Sequence, residues 1–199
     1  MSTQSATLPT VMSVVWPARA ETEPRLLRAL ILVVAGSALL ALSAHIAIPF
    51  YPVPMTLQTG VVLLIGLAYG WKLGLATVLL YLVEGAVGLP VFATGAGLAY
   101  MAGPTGGYLA GFVAAVVIAG YAFEKAPNMI GLVVGVVAAE VAIFVLGVAW
   151  LANIIGFEAA ITNGLLPFIY GDILKTAAAV ALAIAGRRYV QAWLGRAQP

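Results

Sequence analysis

Residues 165–186 read LLPFIYGDILKTAAAVALAIAG, and two ionisable side chains, Asp172 and Lys175, stand inside that otherwise apolar run. At about 1.5 Å per residue a helix of this length reaches about 33 Å, enough to cross a hydrocarbon core of about 30 Å. A charge held inside hydrocarbon costs about 3 kcal/mol on insertion scales, so a membrane chain keeps one where function or a partner requires it. Three residues apart, the acid and the base share one helix face, with Cβ atoms about 5–6 Å apart. They can neutralise each other, and together they offer acceptor oxygens and ammonium donors to a polar ligand. Two readings follow: an ion pair that only tunes helix packing, or a ligand site near one membrane face.

The rest of the chain places that helix in a membrane bundle. Hydrophobic residues make up 63% of the 199 and charged residues 8%, far below the roughly 25% usual in soluble domains. Apolar stretches at about 29–50, 54–71, 73–93, 100–123, 129–151 and 165–186 predict an all-α integral membrane protein of six transmembrane helices. The connections are short, so the expected organisation is a disordered leader over 1–24, apart from an apolar patch at 11–16, a membrane domain over 25–190, and a tail over 191–199. Six crossings put both termini on one side. That side would hold Arg19, Arg25, Arg28, Lys72, Lys125, Arg187, Arg188 and Arg196, leaving Lys175 as the exception among the Lys and Arg residues. By the positive-inside rule both termini are expected to be cytoplasmic. The polar leader and the length of the first apolar run argue against a cleaved signal peptide.

With that orientation the outer loops converge on the acid–base pair. The first carries Pro49, Pro52 and Pro54, which make it stiff and non-helical. The second, 88–105 (GLPVFATGAGLAYMAGPT), is rich in glycine yet too apolar for a solvated linker. Irregular backbone at membrane depth survives where protein covers it, so this loop is expected to dip into the bundle over a cavity. Counting back from Arg187, Asp172 lies about 22 Å up its helix, in the outer third of the membrane. Glu84 is placed about one turn below the outer end of the third helix. Spacings such as Gly66…Gly70…Gly74, Gly107…Gly111 and Gly131…Gly135 mark close helix packing.

Several chemistries are disfavoured. With no cysteine there is neither disulfide nor thiolate metal site, and His45 is the only histidine, so a Ser-His-Asp triad and a His-paired zinc site have no support. The run Gly103-Pro-Thr-Gly-Gly-Tyr108 lacks the GKS/GKT ending of a phosphate loop. The net charge of +2 is a topological excess and implies no nucleic-acid partner. No enzyme activity, cofactor or metal is expected. Glu140, near the middle of the fifth stretch, reads equally well as a proton-coupling group or as a structural carboxyl.

Four ordered segments resemble the BioY family, the biotin-binding S components of energy-coupling-factor (ECF) transporters. These are Pro52-Val-Pro-Met-Thr-Leu-Gln-Thr59, Tyr81-Leu with Gly85-x-x-Gly-Leu-Pro-Val-Phe92, Gly103-Pro-Thr-Gly-Gly-Tyr-Leu109, and Leu166-Pro-Phe-x-x-Gly-Asp-x-x-Lys175. The resemblance covers residues 28 to 188. It implies a six-helix S-component bundle in the bacterial cytoplasmic (inner) membrane, biotin binding near the outer face, and energy supplied by a separate coupling subunit and ATP-binding subunits. It implies that Asp172 and Lys175 contact biotin and that the second outer loop, mapped to 92–107, contributes to the pocket. Phe92, Thr105, Gly106, Gly107, Tyr108, Tyr81 and Glu84 complete the expected substrate site. This chain departs from the family in having no basic residue in the second outer loop and in placing Glu84 where an apolar residue is expected. A rival reading is a self-sufficient proton-coupled carrier for a small carboxylate-bearing solute, working through Glu140 and Asp172.

Overall fold

The computed structural model describes residues 8–16 and 25–196. Residues 1–7 and 17–24 of the expected leader, and 197–199 of the tail, lie outside the described residues. The fold is all-helical apart from a two-residue β-ladder. In chain order the elements are α1 (Val11–Val15), α2 (Arg25–Ala44), β1 (Ala47–Ile48), β2 (Met55–Thr56), α3 (Gln58–Ala86), α4 (Gly97–Met101), α5 (Gly106–Lys125), α6 (Met129–Ile155), α7 (Phe157–Gly164), a 3₁₀ turn (Leu166–Phe168) and α8 (Ile169–Arg196). Among the described residues five helices are long and apolar enough to cross a membrane: α2, α3, α5, α6 and the run through α8.

α3 is not one rod. Gly70 has φ 79° and ψ 171°, a conformation essentially confined to glycine. Gln58 Nε2 donates to the Tyr81 hydroxyl at 2.7 Å, although 23 residues separate them and a straight helix would hold them about 34 Å apart. A Cβ on Gly74 would sit 3.5 Å from the Gly66 Cα. The helix therefore folds back on itself, and the expected stretches 54–71 and 73–93 emerge as two limbs, 58–69 and 71–86. The expected stripe Gly66–Gly70–Gly74 is thus not one helix face: Gly70 is the bend, and Gly66 and Gly74 oppose each other across it. Glu124 Oε1 accepts from the Trp71 amide at 3.2 Å and so caps the second limb.

The other elements follow from local chemistry. Thr10 caps α1 by accepting from the Ser13 amide, so the apolar patch at 11–16 folds as a short helix seated against α3 and α8. Asn128 caps α6 through its side chain, and Gly156, at φ 87°, ends that helix. α8 continues through 191–196, past the expected boundary of the membrane domain. α5 packs most extensively, against α6 on one side and α3 on the other, because its glycines admit close contact. A Cβ on Gly111 would lie 2.7 Å from the Ile143 Cα, as the small-residue spacing predicts. The Lys72 turn, Lys125, and the α8 stretch with Arg187 and Arg188 gather at one end of the bundle, where the Arg187 guanidinium donates to the carbonyls of Asn128 and Ala126. We call this the basic end. The β-ladder and α4 lie at the opposite end, where Thr56 and Tyr100 line the site described next, and α7 follows the end of α6 that is far from Asn128.

Candidate substrate-binding site

The 3₁₀ turn containing Pro167 delivers the chain into α8, and Asp172 falls in that helix's first turn. There the amide end of the helix dipole favours a carboxylate. Lys175 Nζ donates to Asp172 Oδ1 at 2.5 Å, so the pair that the i, i+3 spacing implied is formed. Two contacts from other elements hold it in place. Thr59, on the first limb of α3, donates its hydroxyl to Asp172 Oδ1 at 2.6 Å. Lys175 also donates to the Thr56 carbonyl at 2.9 Å, and Thr56 belongs to the ladder that pairs Ala47 with Thr56 and Ile48 with Met55. An ammonium carries three hydrogens. Two are directed at Asp172 and Thr56, and the side chain lines a cavity into which the third can point.

That cavity, with the open space of its mouth included, amounts to about 510 Å³. Its walls are aromatic. Phe92 stacks on Tyr100 with ring centroids 4.9 Å apart and meets Tyr81 edge-on at 5.4 Å. Opposite, Phe168 stacks with Tyr108 at 6.4 Å and meets Phe144 at 6.2 Å. Polar groups are few: Lys175, Thr56, Gln58, Thr59, Thr105 and the Tyr81 hydroxyl, which donates to the Val91 carbonyl at 3.2 Å. The second long loop does dip into the bundle, with Phe92 buried beneath it. A Cβ on Gly85 would lie 2.0 Å from the Phe92 ring, so the glycine of the YLxxG segment makes room for this aromatic. An apolar cavity with a few convergent polar groups and one cation suits a small ligand that is largely apolar and carries an oxygen acceptor.

Among the expected site residues, Lys175, Tyr81, Phe92, Thr105 and Tyr108 line the cavity together. Asp172 does not reach the wall itself; it acts through Lys175. Glu84 is elsewhere: its carboxylate accepts from Ser37 of α2, one helix away from the cavity, where it serves helix packing. Gly106 and Gly107 also face away. A Cβ on Gly106 would strike the Met101 carbonyl at 2.0 Å, and one on Gly107 would lie 2.4 Å from the Leu146 carbonyl of α6. They are packing glycines, since α5 can approach α6 closely only where no side chain intervenes.

Gln58, Thr59, Phe144 and Phe168 contribute to the site without having been expected there, and Tyr100 contributes from within the loop, 92–107, that was expected to. For Gln58 and Thr59 a signal existed, two polar residues opening an apolar helix. For Phe144 and Phe168 there was none, because a phenylalanine in an apolar helix reads alike whether it faces lipid, core or ligand. His45 is exposed and donates from its ring to the Ala41 carbonyl at 2.8 Å, away from the cavity.

The family model for BioY matches residues 11–192. The chain belongs to the BioY family. Among similar BioY proteins is the probable biotin transporter BioY of Pyrococcus horikoshii, 43% identical over 150 residues, covering 73% of this chain and 88% of that one. The biotin transporter BioY of Thermotoga maritima is 38% identical over 150 residues, covering 74% of this chain and 89% of that one. The structure is similar to a crystal structure of the S-component for biotin from an ECF-type ABC transporter, with a TM-score of 0.72 and 26% identity, covering 86% of this chain and 95% of that one. As a BioY protein with several spanning helices, the chain is a multi-pass membrane protein.

Proposed function

We propose that this chain is a biotin-binding membrane subunit that captures the vitamin from outside the cell, with transport energised by a separate coupling subunit and ATP-binding subunits. In this reading the bundle crosses the cytoplasmic membrane six times, counting the two limbs of α3 separately. The basic end and both termini lie on the cytoplasmic side, and the aromatic cavity opens outward. The observation that carries the proposal is the Lys175 ammonium, clamped by Asp172 and Thr56 and presented to an aromatic cavity in a BioY chain. Lys175 donates to a ligand oxygen, Thr59, Gln58 and Thr105 serve the remaining polar atoms, and the stacked Phe92–Tyr100 pair with Phe168 encloses the apolar ring system and chain. Similarity to proteins named as biotin transporters supports the choice of ligand.

Titrating biotin into the purified protein tests the reading. The parent should bind, and Lys175→Met should lose about 10- to 100-fold in affinity, the scale of a charge-assisted hydrogen bond. No binding by a folded parent would refute the proposal. Uptake abolished by a protonophore while ATP is intact would favour a self-sufficient carrier instead.

A further inference from the structure

Asp172 has two faces. Its Oδ1 serves Thr59 and Lys175 on the cavity side, whereas Oδ2 is buried with no hydrogen-bond partner among the described residues. A groove between α6 and α8 runs behind it, lined by Glu140, Phe144, Asp172 and Thr176 among apolar side chains. Both Glu140 oxygens are likewise buried without a partner, and Glu140 and Asp172 are only 7% and 3% exposed. The register of the two helices brings them level. Arg187 of α8 bonds the Asn128 carbonyl at the start of α6. From that level Glu140 stands 12 residues up α6, about 18 Å, and Asp172 stands 15 residues up α8, about 22 Å. Both acidic side chains line this one groove, from α6 and from α8.

Two carboxylates cannot share an apolar groove without a donor between them, and among the described residues no side chain, the Thr176 hydroxyl of the same groove included, is hydrogen-bonded to Glu140 or to Asp172 Oδ2. We infer that Glu140 and Asp172 hold one proton between them, donated from Glu140 to Asp172 Oδ2, and that this proton is thermodynamically linked to binding of an anionic ligand in the adjacent cavity. With it, the row Lys175⁺, Asp172⁻, Glu140–H is electrically neutral; without it, the row carries one uncompensated negative charge. The inference deepens the proposed function and rests on it for the ligand. Biotin enters as an anion, so it binds more weakly to the row that has lost the proton, and its binding drives proton uptake. The sign follows: affinity is full at lower pH and falls as pH rises through the ionisation of the pair, by up to about tenfold per pH unit for one proton. Other ionisable groups are distinct. Around α6, α8 supplies Asp172 and Lys175, α5 supplies Tyr108 towards the cavity with Tyr121, Glu124 and Lys125 nearer the basic end, α3 supplies Tyr81 and Glu84 together with Tyr69 and Lys72 near its bend, and α7 supplies Glu158 at the surface.

Glu140→Gln separates these possibilities, since an amide still donates to Asp172 Oδ2 but releases no proton. Calorimetric titration of biotin in buffers of different ionisation heat should show proton uptake and a falling affinity with rising pH for the parent, and neither for Glu140→Gln in the same window. The uncharged amide of biotin should bind the parent with little pH dependence. Parallel pH profiles for parent and Glu140→Gln, or for biotin and its amide, would overturn the linkage. The amide arm needs no variant, so a poorly folding Glu140→Gln leaves the idea exposed. The shared proton also has a ligand-free signature, an infrared band of a protonated carboxyl present in the parent and missing from Glu140→Gln. Its absence from the parent would overturn the inference even if biotin is not the ligand, whereas failure of biotin to bind a parent that shows the band would overturn only the proposed function.

Discussion

Lys175 is the side chain on which the proposed site turns, and its neighbours set how it behaves. An ammonium in an apolar wall is tolerated because Asp172 compensates its charge and the Thr56 carbonyl takes a second hydrogen. Asp172→Asn leaves that ammonium buried without its counter-ion. Biotin affinity should fall by about 1–3 kcal/mol while insertion and folding persist, checked by calorimetry beside a melting curve. Thr59→Val removes a hydroxyl that orients Asp172 and lines the cavity, so it should cost about 1 kcal/mol or more, at least roughly fivefold in affinity. Parental affinity in both variants would make the pair purely structural, the first of the two readings that its spacing permits.

The hairpin of α3 depends on one residue. Gly70 occupies a region that a Cβ makes costly, and a Cβ there would meet Glu124 Oε1 at 2.1 Å. Gly70→Ala should therefore destabilise by about 1–3 kcal/mol or more, seen as a lowered melting temperature. Gly88→Ala provides the contrast, with φ 99° but nothing within 4 Å of an added Cβ, so it incurs backbone strain alone and should cost less. Gly106→Val and Gly107→Val would wedge α5 away from α4 and α6 and so report on folding. The covering loop is better tested at Tyr100, whose ring stacks on Phe92 over the cavity. Tyr100→Ala should speed biotin dissociation several-fold with less effect on association, because a cover that closes after encounter acts on departure.

Across the whole molecule, orientation is the testable property. Lys125 lies at the basic end and Glu158 at the opposite one, and both are exposed. The sequence has no cysteine, so an introduced one is the only thiol: Glu158→Cys in intact cells should react with an impermeant reagent and Lys125→Cys should not. The reverse pattern would invert the proposed topology. The outward side chains of the bundle are overwhelmingly apolar, Leu30, Val34, Val141 and Ile173 among them, as lipid contact requires.

Membrane class, the positions of the apolar runs, the Asp172–Lys175 pair and the loop that buries Phe92 were all legible in the residue order. Each rests on a property that is local along the chain: hydropathy over a helix length, an i, i+3 spacing, a glycine-rich break. Gly107…Gly111 was legible as a packing face for the same reason. The meaning of Gly70, the attachment of Glu84 to Ser37, the inward turn of Phe144 and Phe168, and the meeting of Glu140 with Asp172 were not. Those depend on which helix lies beside which and in what register, and an apolar helix carries little in its own sequence to distinguish a lipid-facing side from a ligand-facing one. Lipid and protein interior are similar solvents, so burial in this fold is assigned by neighbours, and neighbours exist only once the chain has folded.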